Sequence, residues 1–213
     1  MNDTGGIIDD LMITKISPKD LYIVTNAARR EKDLTHFREQ FSGHDDLVQH
    51  DLLDDHGLIA LQGPSSSEIL QKLTSHNLND VKFGGCASTT ILSVPDVLIS
   101  RGGYTGEDGF EISIPGSEGT VSITEALMEN KDVKLAGLAA RDSLRLEAGL
   151  CLYGHDLDEN TSPIEAGLSW LVGKSRTGYL GYDTVKAHAG DVSGIRRRVG
   201  FTVQGAPARG SPR

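Results

Sequence analysis

A glycine-rich turn followed by an alternating segment constrains this fold more than any other stretch of the sequence. Residues 101–114 read RGGYTGEDGFEISI, with glycine at four of the eight positions 102–109. Glycines allow the sharp turns and positive φ angles that a tight loop needs. Phe110, Ile112 and Ile114 then recur with the period of two that is typical of a half-buried strand. The pattern predicts a strand that starts at Phe110 and turns Glu111 to the opposite face.

Glu111 is the polar position of this strand with the clearest functional interpretation. A strand holds its side chains stiffly and the adjoining turn leaves room for a ligand, so this carboxylate is well placed to accept hydrogen bonds from a polar heterocycle. The alternative is a hairpin loop with an exposed glutamate, which the local pattern alone favours.

Composition excludes several classes of function. The net charge of −9 over 213 residues argues against general binding to nucleic acid or to an anionic membrane, because both require a cationic surface. Cys86 and Cys151 form no CxxC pair, so neither a zinc site nor a disulfide framework is indicated. No apolar run has the length of a membrane span. We also find no targeting peptide in the sequence.

The other segments predict a mixture of helices and short strands. In chain order, we expect two strands between Ile7 and Val24 joined by a turn at residues 17–20, a helix over 27–40 capped by Asn26, a buried strand over 57–62, a helix to about Leu73, two or three strands within 81–100 with turns at 84–85 and 95–96, a helix over 121–128, and a helix over 138–149 that ends at Gly149.

Two pairs of charged residues are candidate site residues. Asp9 and Asp10 are adjacent on the predicted first strand, so one carboxylate must face inward, where it needs a donor or a chemical role. Arg141 and Arg145 lie four residues apart on a predicted helix and therefore share a face. The alternatives are an exposed bulge for the aspartates and an ion-paired surface for the arginines.

Three patterns suggest metal or nucleotide sites, but the spacing of their residues does not match that of such sites. His44, His50 and His56 recur every six residues among aspartates, which matches neither helical spacing nor the usual zinc and calcium spacings. Five residues separate Gly167 from the Gly-Lys-Ser run at 173–175, whereas a phosphate-binding loop has four. The glycines of residues 102–109 do not form GxGxxG, and no helix is predicted to follow them. We therefore expect no metal site and no dinucleotide fold.

Residues 101–113 resemble the RxGYTGEDGxEIS signature of the glycine cleavage system T protein family, aminomethyltransferases that use tetrahydrofolate. Further segments match this family in the same order: GGIIDD at 5–10, LIALQGP at 58–64, AGLAARDSLRLEAGLCLYG at 136–154, TSPIEAGLSW at 161–170 and RRVGF at 197–201. The resemblance covers nearly the whole sequence.

The resemblance implies an activity and a set of residues. A methylene unit would pass from an aminomethyl group, carried on the lipoyl arm of the H protein, to tetrahydrofolate with release of ammonia, and without a metal. Matched to the family's motifs, Asp10 takes the orienting or proton-handling role and Glu111 pairs with the pterin ring. Arg141 helps to hold the folate and Tyr104 lines the pocket. In a eukaryote the family implies the mitochondrial matrix.

The family also implies an α+β fold with mixed, mostly antiparallel sheets and packed helices. Residues 1–194 would form the folate-binding region, and residues 195–213 would begin a C-terminal β-barrel-like domain. Complete members carry an earlier segment with FAGW and FDVSHM-like sequences and the rest of the β domain, so we expect a chain truncated at both ends.

Two alternatives remain open: a non-catalytic folate-binding paralogue, and an inactive partial fragment of the T protein. The paralogues typically carry a KGCYxGQE-like motif. Here the corresponding sequence is GYTGEDG at 103–109, and the Asp10 motif accompanies it. Both features favour the transferase.

Overall fold

The computed structural model describes residues 1–44, 51–202 and 204–205, and helices there pack beside antiparallel strands. This arrangement confirms the predicted α+β class. The elements, in chain order, are β1 (Met12–Lys15), β2 (Leu21–Val24), α1 (Arg30–Phe41), β3 (His56–Gln62), α2 (Ser66–Gln71), β4 (Cys86–Ile91), β5 (Val94–Arg101), β6 (Gly109–Pro115), α3 (Ser117–Met128), α4 (Leu138–Glu147) and α5 (Tyr182–Gly190).

The chain divides into two compact units. The sheet unit consists of Leu11–Val24 and Thr35–Leu150, and the loop unit consists of Met1–Asp10, Thr25–Leu34 and the chain from Cys151 onward. Of the predicted β-domain start, residues 203 and 206–213 lie outside the described residues, and residues 195–202 and 204–205 contain no strand. The predicted boundary after residue 194 stays a prediction.

The main sheet has four strands in the order β3-β6-β5-β4, and every neighbouring pair is antiparallel. Phe110, Ile112 and Ile114 on β6 are fully buried, as the alternation predicts. The strand begins one residue earlier than expected, at Gly109. These side chains form the core of the sheet unit together with buried residues of α2 and α3. Burial of this one face is the main force that fixes the register.

The strand predicted to be buried at 57–62 is instead an edge strand. β3 pairs only with β6 in the described sheet. Its Leu61 is buried, whereas Leu58, on the other face, is 51% exposed. The predicted strand therefore forms, but only one of its faces is buried, because an apolar run does not show how many neighbours a strand has.

The turn predicted at residues 95–96 was also wrong. The chain turns at Leu92 and Ser93, while Pro95 and Asp96 lie inside β5. The register with β4 shifts at this point. A bulge in the ladder accommodates a proline because proline has no N–H to donate.

A separate hairpin joins β1 and β2, as predicted. The Ser17 hydroxyl accepts hydrogen bonds from the backbone amides of Lys19 and Asp20, which fixes the turn. However, the GGIIDD segment before the hairpin is not a strand. The backbone N–H of Ile7 reaches the carbonyls of Asp158 and Thr161, so this segment finds its hydrogen-bond partners in a loop.

The loop unit has its own small core, formed by buried Ile7, Cys151, Leu157 and Ala166. Gly6 allows the chain to approach closely here, because a Cβ atom at this position would overlap the backbone carbonyl of Glu159. The glycines of the GGIIDD motif therefore have a packing role in this unit.

The four predicted helices form, but several of their ends differ from the prediction: α1 begins at Arg30 instead of Ala27, and α3 begins at Ser117, four residues before Val121. α4 ends at Glu147, and Gly149 follows with φ of 72° as the expected stop. Residues 27–29 form a 3₁₀ turn before α1, and Asn26 makes no side-chain cap there. Its side chain instead donates to the carboxylates of Asp9 and Asp10. Within the described residues, no helix combines the length and apolarity needed to cross a membrane.

Candidate functional site

The glycine-rich loop of residues 102–109 is held by the side chain of Gln62. Its Nε2 donates to the carbonyl oxygen of Gly102 at 3.1 Å, and its Oε1 accepts from the Thr105 hydroxyl at 3.2 Å. A Cβ atom on Gly103 or Gly109 would overlap this amide. The glycines thus allow the loop to close around Gln62, a contact that the sequence analysis missed although Gln62 lies in a family segment.

An ion pair ties the two ends of the same loop. Arg101 Nε and Nη2 donate to the two carboxylate oxygens of Asp108 at 2.9 and 2.7 Å, and this pairing lowers the pKa of Asp108. Arg101 Nη1 also donates to the carbonyl oxygens of Leu78 and Val81. These two charged residues of the motif are therefore structural, and they make the loop rigid.

Tyr104 and Arg141, both predicted site residues, lie together. The Arg141 guanidinium lies 4.4 Å from the centroid of the Tyr104 ring, which is a cation–π contact. Arg141 is exposed, and no carboxylate among the described residues pairs with it. Its charge is therefore available to an anionic ligand.

Arg145 differs from Arg141 although the two share the α4 helix. Arg145 is buried, pairs with Asp142 at 2.8 Å, and donates to the Leu150 carbonyl. The alternative of an ion-paired arginine therefore applies to Arg145, which is buried at the end of α4 rather than on its surface, and not to Arg141.

Glu111 projects from the middle of β6 on the face opposite the core. The register places it between Ala60 and Ser100. The residue is half-buried, and none of the described residues donates a hydrogen bond to its carboxylate or forms an ion pair with it. Neither of its oxygens is among the buried polar atoms that lack a partner, so solvent reaches this group and a ligand with N–H groups can replace the water there.

A small cavity adjoins Glu111. It has a volume of about 20 Å³, room for one water molecule. The hairpin and the outer face of the sheet enclose it, and the lining includes Met12, Tyr22, Leu98, Ser100 and Ser113.

Asp10 lies in the loop unit and is held by Asn26. Asn26 Nδ2 donates to Asp10 Oδ1 at 2.9 Å and to the Asp10 carbonyl at 3.1 Å. Asp10 is exposed, yet the surrounding chain removes enough water from its carboxylate to raise the pKa. The charge of Asp9 raises it further, and the hydrogen bond from Asn26 opposes both effects.

The histidine pattern gives no metal site within the described residues. His50, with neighbouring Asp45 and Asp46, falls in the segment 45–50 that lies outside them. Elsewhere in residues 1–44, 51–202 and 204–205, no three His, Cys, Asp or Glu side chains are placed to hold a metal ion.

Comparison with known proteins places the chain in a family. The family model described as the GCVT N-terminal domain matches residues 1–176. The chain belongs to this family. Asp10, Tyr104, Glu111 and Arg141 all lie within the matched region.

Named relatives agree with this family. The chain is similar to "Aminomethyltransferase, mitochondrial" from Pisum sativum, at 46% identity over 98% of the chain and 52% of the relative. It is 45% identical to the protein of the same name from Homo sapiens, with the same coverage. The chain spans about half the length of the curated relatives it matches.

A solved structure supports the fold. Glycine cleavage system aminomethyltransferase T from Bartonella henselae matches with a TM-score of 0.77 and 34% identity. The match covers 92% of this chain and 52% of the other.

Proposed function

We propose that the protein is an aminomethyltransferase of the glycine cleavage system. It would transfer the methylene of an aminomethyl group, carried on the lipoyl arm of the H protein, to tetrahydrofolate with release of ammonia. The family supports the reaction class, and residues 1–194 would form the folate-binding region. One observation on this chain carries the proposal: Glu111 is half-buried on the outer face of β6, and no described residue donates to its carboxylate.

Glu111 suits the recognition of a pterin ring. Two adjacent N–H groups of such a ring can donate to the two carboxylate oxygens, and charged acceptors make strong hydrogen bonds. The cavity beside Glu111 has about 20 Å³ and is smaller than the ring. A ring bound at Glu111 would therefore extend beyond this cavity.

Arg141 suits the anionic part of folate. Its guanidinium lies over the Tyr104 ring, and no described carboxylate pairs with it, so its N–H groups are available to a ligand. A carboxylate of the folate tail can accept two parallel N–H bonds from that edge, and Tyr104 would then form part of the pocket wall.

Asp10 suits an orienting or proton-handling role. Its raised pKa brings the carboxyl group closer to neutral pH, where proton transfer is more effective. Asn26 fixes its orientation. Correct orientation of reacting groups contributes to catalysis independently of proton transfer.

Calorimetric titration of the 213-residue chain with tetrahydrofolate tests the proposal. We expect Glu111→Gln to weaken binding at least tenfold, because a neutral amide presents one acceptor where the carboxylate has two. Glu118→Gln, at an exposed position of α3, is the matched control and should leave binding unchanged.

An aminomethyl-transfer assay with lipoylated H protein then separates the remaining possibilities. We expect Asp10→Asn to lower the rate more than tenfold while tetrahydrofolate affinity changes little. Folate binding without any transfer would favour the alternative of a non-catalytic folate-binding paralogue. A folded chain that binds no folate would show that this polypeptide alone does not carry the function.

We further propose the mitochondrial matrix as the location in a eukaryotic cell, from the names of the relatives. Fractionation of cells that express the full-length protein would test this, and recovery in the cytosolic fraction would refute it.

A further inference from the structure

An unexpected carboxyl group lies buried beside the Asp10 loop. Asp33, in the first turn of α1, is 3% exposed. Its Oδ2 is completely buried, and no donor in the described part of the chain reaches it. An ionised carboxylate in this state is costly, and a buried acid of this kind instead keeps its proton.

The neighbour of Asp33 is a second carboxyl group, that of Asp9, and the two are within hydrogen-bonding reach. Both Asp9 oxygens already accept hydrogen bonds from Asn26: Oδ2 from the backbone N–H at 3.0 Å, and Oδ1 from Nδ2 at 2.9 Å. Because Asp9 acts as an acceptor on both oxygens, the proton between the two acids belongs to Asp33.

The electrostatic surroundings agree with a neutral Asp33. Burial raises the pKa of Asp33 to about 7, and the hydrogen bond and charge of Asp9 contribute to the increase. Two positive groups oppose this shift, the Arg29 guanidinium and the amino group of Met1. Asp33 therefore changes its charge close to neutral pH.

Asn26 connects this acid pair to Asp10. Its side-chain Nδ2 is shared by the Asp9 carboxylate, the Asp10 carboxylate and the Asp10 carbonyl. A change in the position of Asp9 must therefore move the amide that holds Asp10.

We propose that Asp33 is a positioning residue for Asp10: as a neutral acid it donates a hydrogen bond to Asp9, and Asp9 in turn holds Asn26 in the orientation that fixes the Asp10 carboxylate. The inference rests on the role of Asp10 in the proposed function. Ionisation of Asp33 places two negative charges side by side, which loosens this arrangement. The rate of aminomethyl transfer should then decline as the pH rises through the range in which Asp33 ionises.

Two substitutions at position 33 distinguish the effect of the hydrogen bond to Asp9 from the effect of ionisation of the Asp33 carboxyl group. Asp33→Asn keeps a donor toward Asp9 but cannot ionise, and Asp33→Leu has a similar shape with no donor. Asp3→Asn, at an exposed position of the same unit, is the control. The first measurement is a carboxyl ¹³C NMR titration of the chain labelled at aspartate, which needs no folate and no activity.

We expect one carboxyl resonance of the wild type to titrate near pH 7, and this transition to be absent in Asp33→Asn. The Asp10 resonance should keep its pKa in Asp33→Asn and titrate at higher pH in Asp33→Leu, because the Asn26 hydrogen bond is lost there.

In the transfer assay, Asp33→Asn should keep the wild-type rate at pH 6.5 and lose the decline above pH 7. Asp33→Leu should lose at least tenfold in kcat with little change in KM for tetrahydrofolate.

Two results would overturn the inference. One is that no aspartate resonance of the wild type titrates near pH 7, or that such a transition is still present in Asp33→Asn. The other is an Asp10 resonance that behaves identically in both Asp33 variants. If Asp33→Leu does not fold, the comparison of wild type with Asp33→Asn decides alone. Failure of the proposed function is a separate result, full transfer activity in Asp10→Asn, and it leaves the NMR test of Asp33 intact.

Discussion

At the scale of single residues, the loop unit depends on a position where no side chain fits. Gly6 faces the backbone carbonyl of Glu159, which cannot move as a flexible side chain could. We expect Gly6→Ala to lower the free energy of unfolding by about 2–3 kcal/mol or to prevent folding of this unit, as overpacking does. Chemical denaturation measures this.

Gly190→Ala is a matched control for Gly6→Ala in the same unit. Gly190 is the last residue of α5, and a Cβ atom there meets no other atom within 4 Å. This substitution should leave stability unchanged or increase it slightly, because alanine favours helix. Equal losses in the two variants would contradict the steric explanation for Gly6.

Asp33 gives the chain a pH dependence of stability with a defined sign. Its pKa rises from 3.8 to about 7 on folding, so the folded state binds this proton more tightly than the unfolded state. The stabilisation is fully present below about pH 4, is lost progressively as the pH rises to about 7, and amounts to about 4 kcal/mol at most. Urea denaturation between pH 4 and 8 should show this slope, and Asp33→Asn should remove it. A constant difference between the two proteins across that range would argue against a buried protonated Asp33.

At the scale of elements, β6 carries both the core and the candidate site of the sheet unit. Ile112 is fully buried, and the register pairs it with Ile59 on β3 and Ile99 on β5. We expect Ile112→Ala to cost about 3–4 kcal/mol, from lost burial and the cavity left behind. Ile13→Ala on β1, where the side chain is 56% exposed, should cost less than about 1 kcal/mol. Denaturant unfolding of the two variants tests this contrast.

The loop before β6 depends on a single amide side chain. Gln62→Met fills similar space but offers neither the donor to Gly102 nor the acceptor to Thr105. We expect a loss of about 1–3 kcal/mol and faster hydrogen exchange of amides in residues 102–109. Gln40→Met, at an exposed position of α1, is the control. Unchanged exchange in the loop would show that the ion pair between Arg101 and Asp108 holds it without Gln62.

At the scale of the whole molecule, several large apolar side chains remain in contact with solvent. They include Phe83, Leu135, Leu138, Trp170 and Phe201. Trp170 is the only tryptophan of the sequence and is 73% exposed. Its fluorescence should therefore resemble that of free tryptophan in water and be quenched readily by acrylamide. Emission shifted to the blue, with weak quenching, would show that this side chain is covered in solution.

The sequence determined the local structure of much of the chain. The period of two in residues 110–114 predicted β6 and its buried face, because one-sided burial imposes that period on a strand. Helix α4 and its stop at Gly149 followed from helix propensity and from the permissive backbone of glycine. The quoted motifs were sufficient to recognise the family, since they recur in one order along the chain.

Tertiary structure alone decided how polar groups are paired. Nothing in the local sequence shows that Arg141 is exposed beside Tyr104 while Arg145, four residues later, is buried. Nor does it show that Asn26 serves Asp9 and Asp10 and leaves the helix start uncapped. Asp33 lies in a strongly charged helix segment, yet it is buried beside Asp9, 24 residues earlier. The physical reason is that hydrogen bonds and desolvation depend on groups distant in sequence, whereas periodicity and propensity depend only on near neighbours.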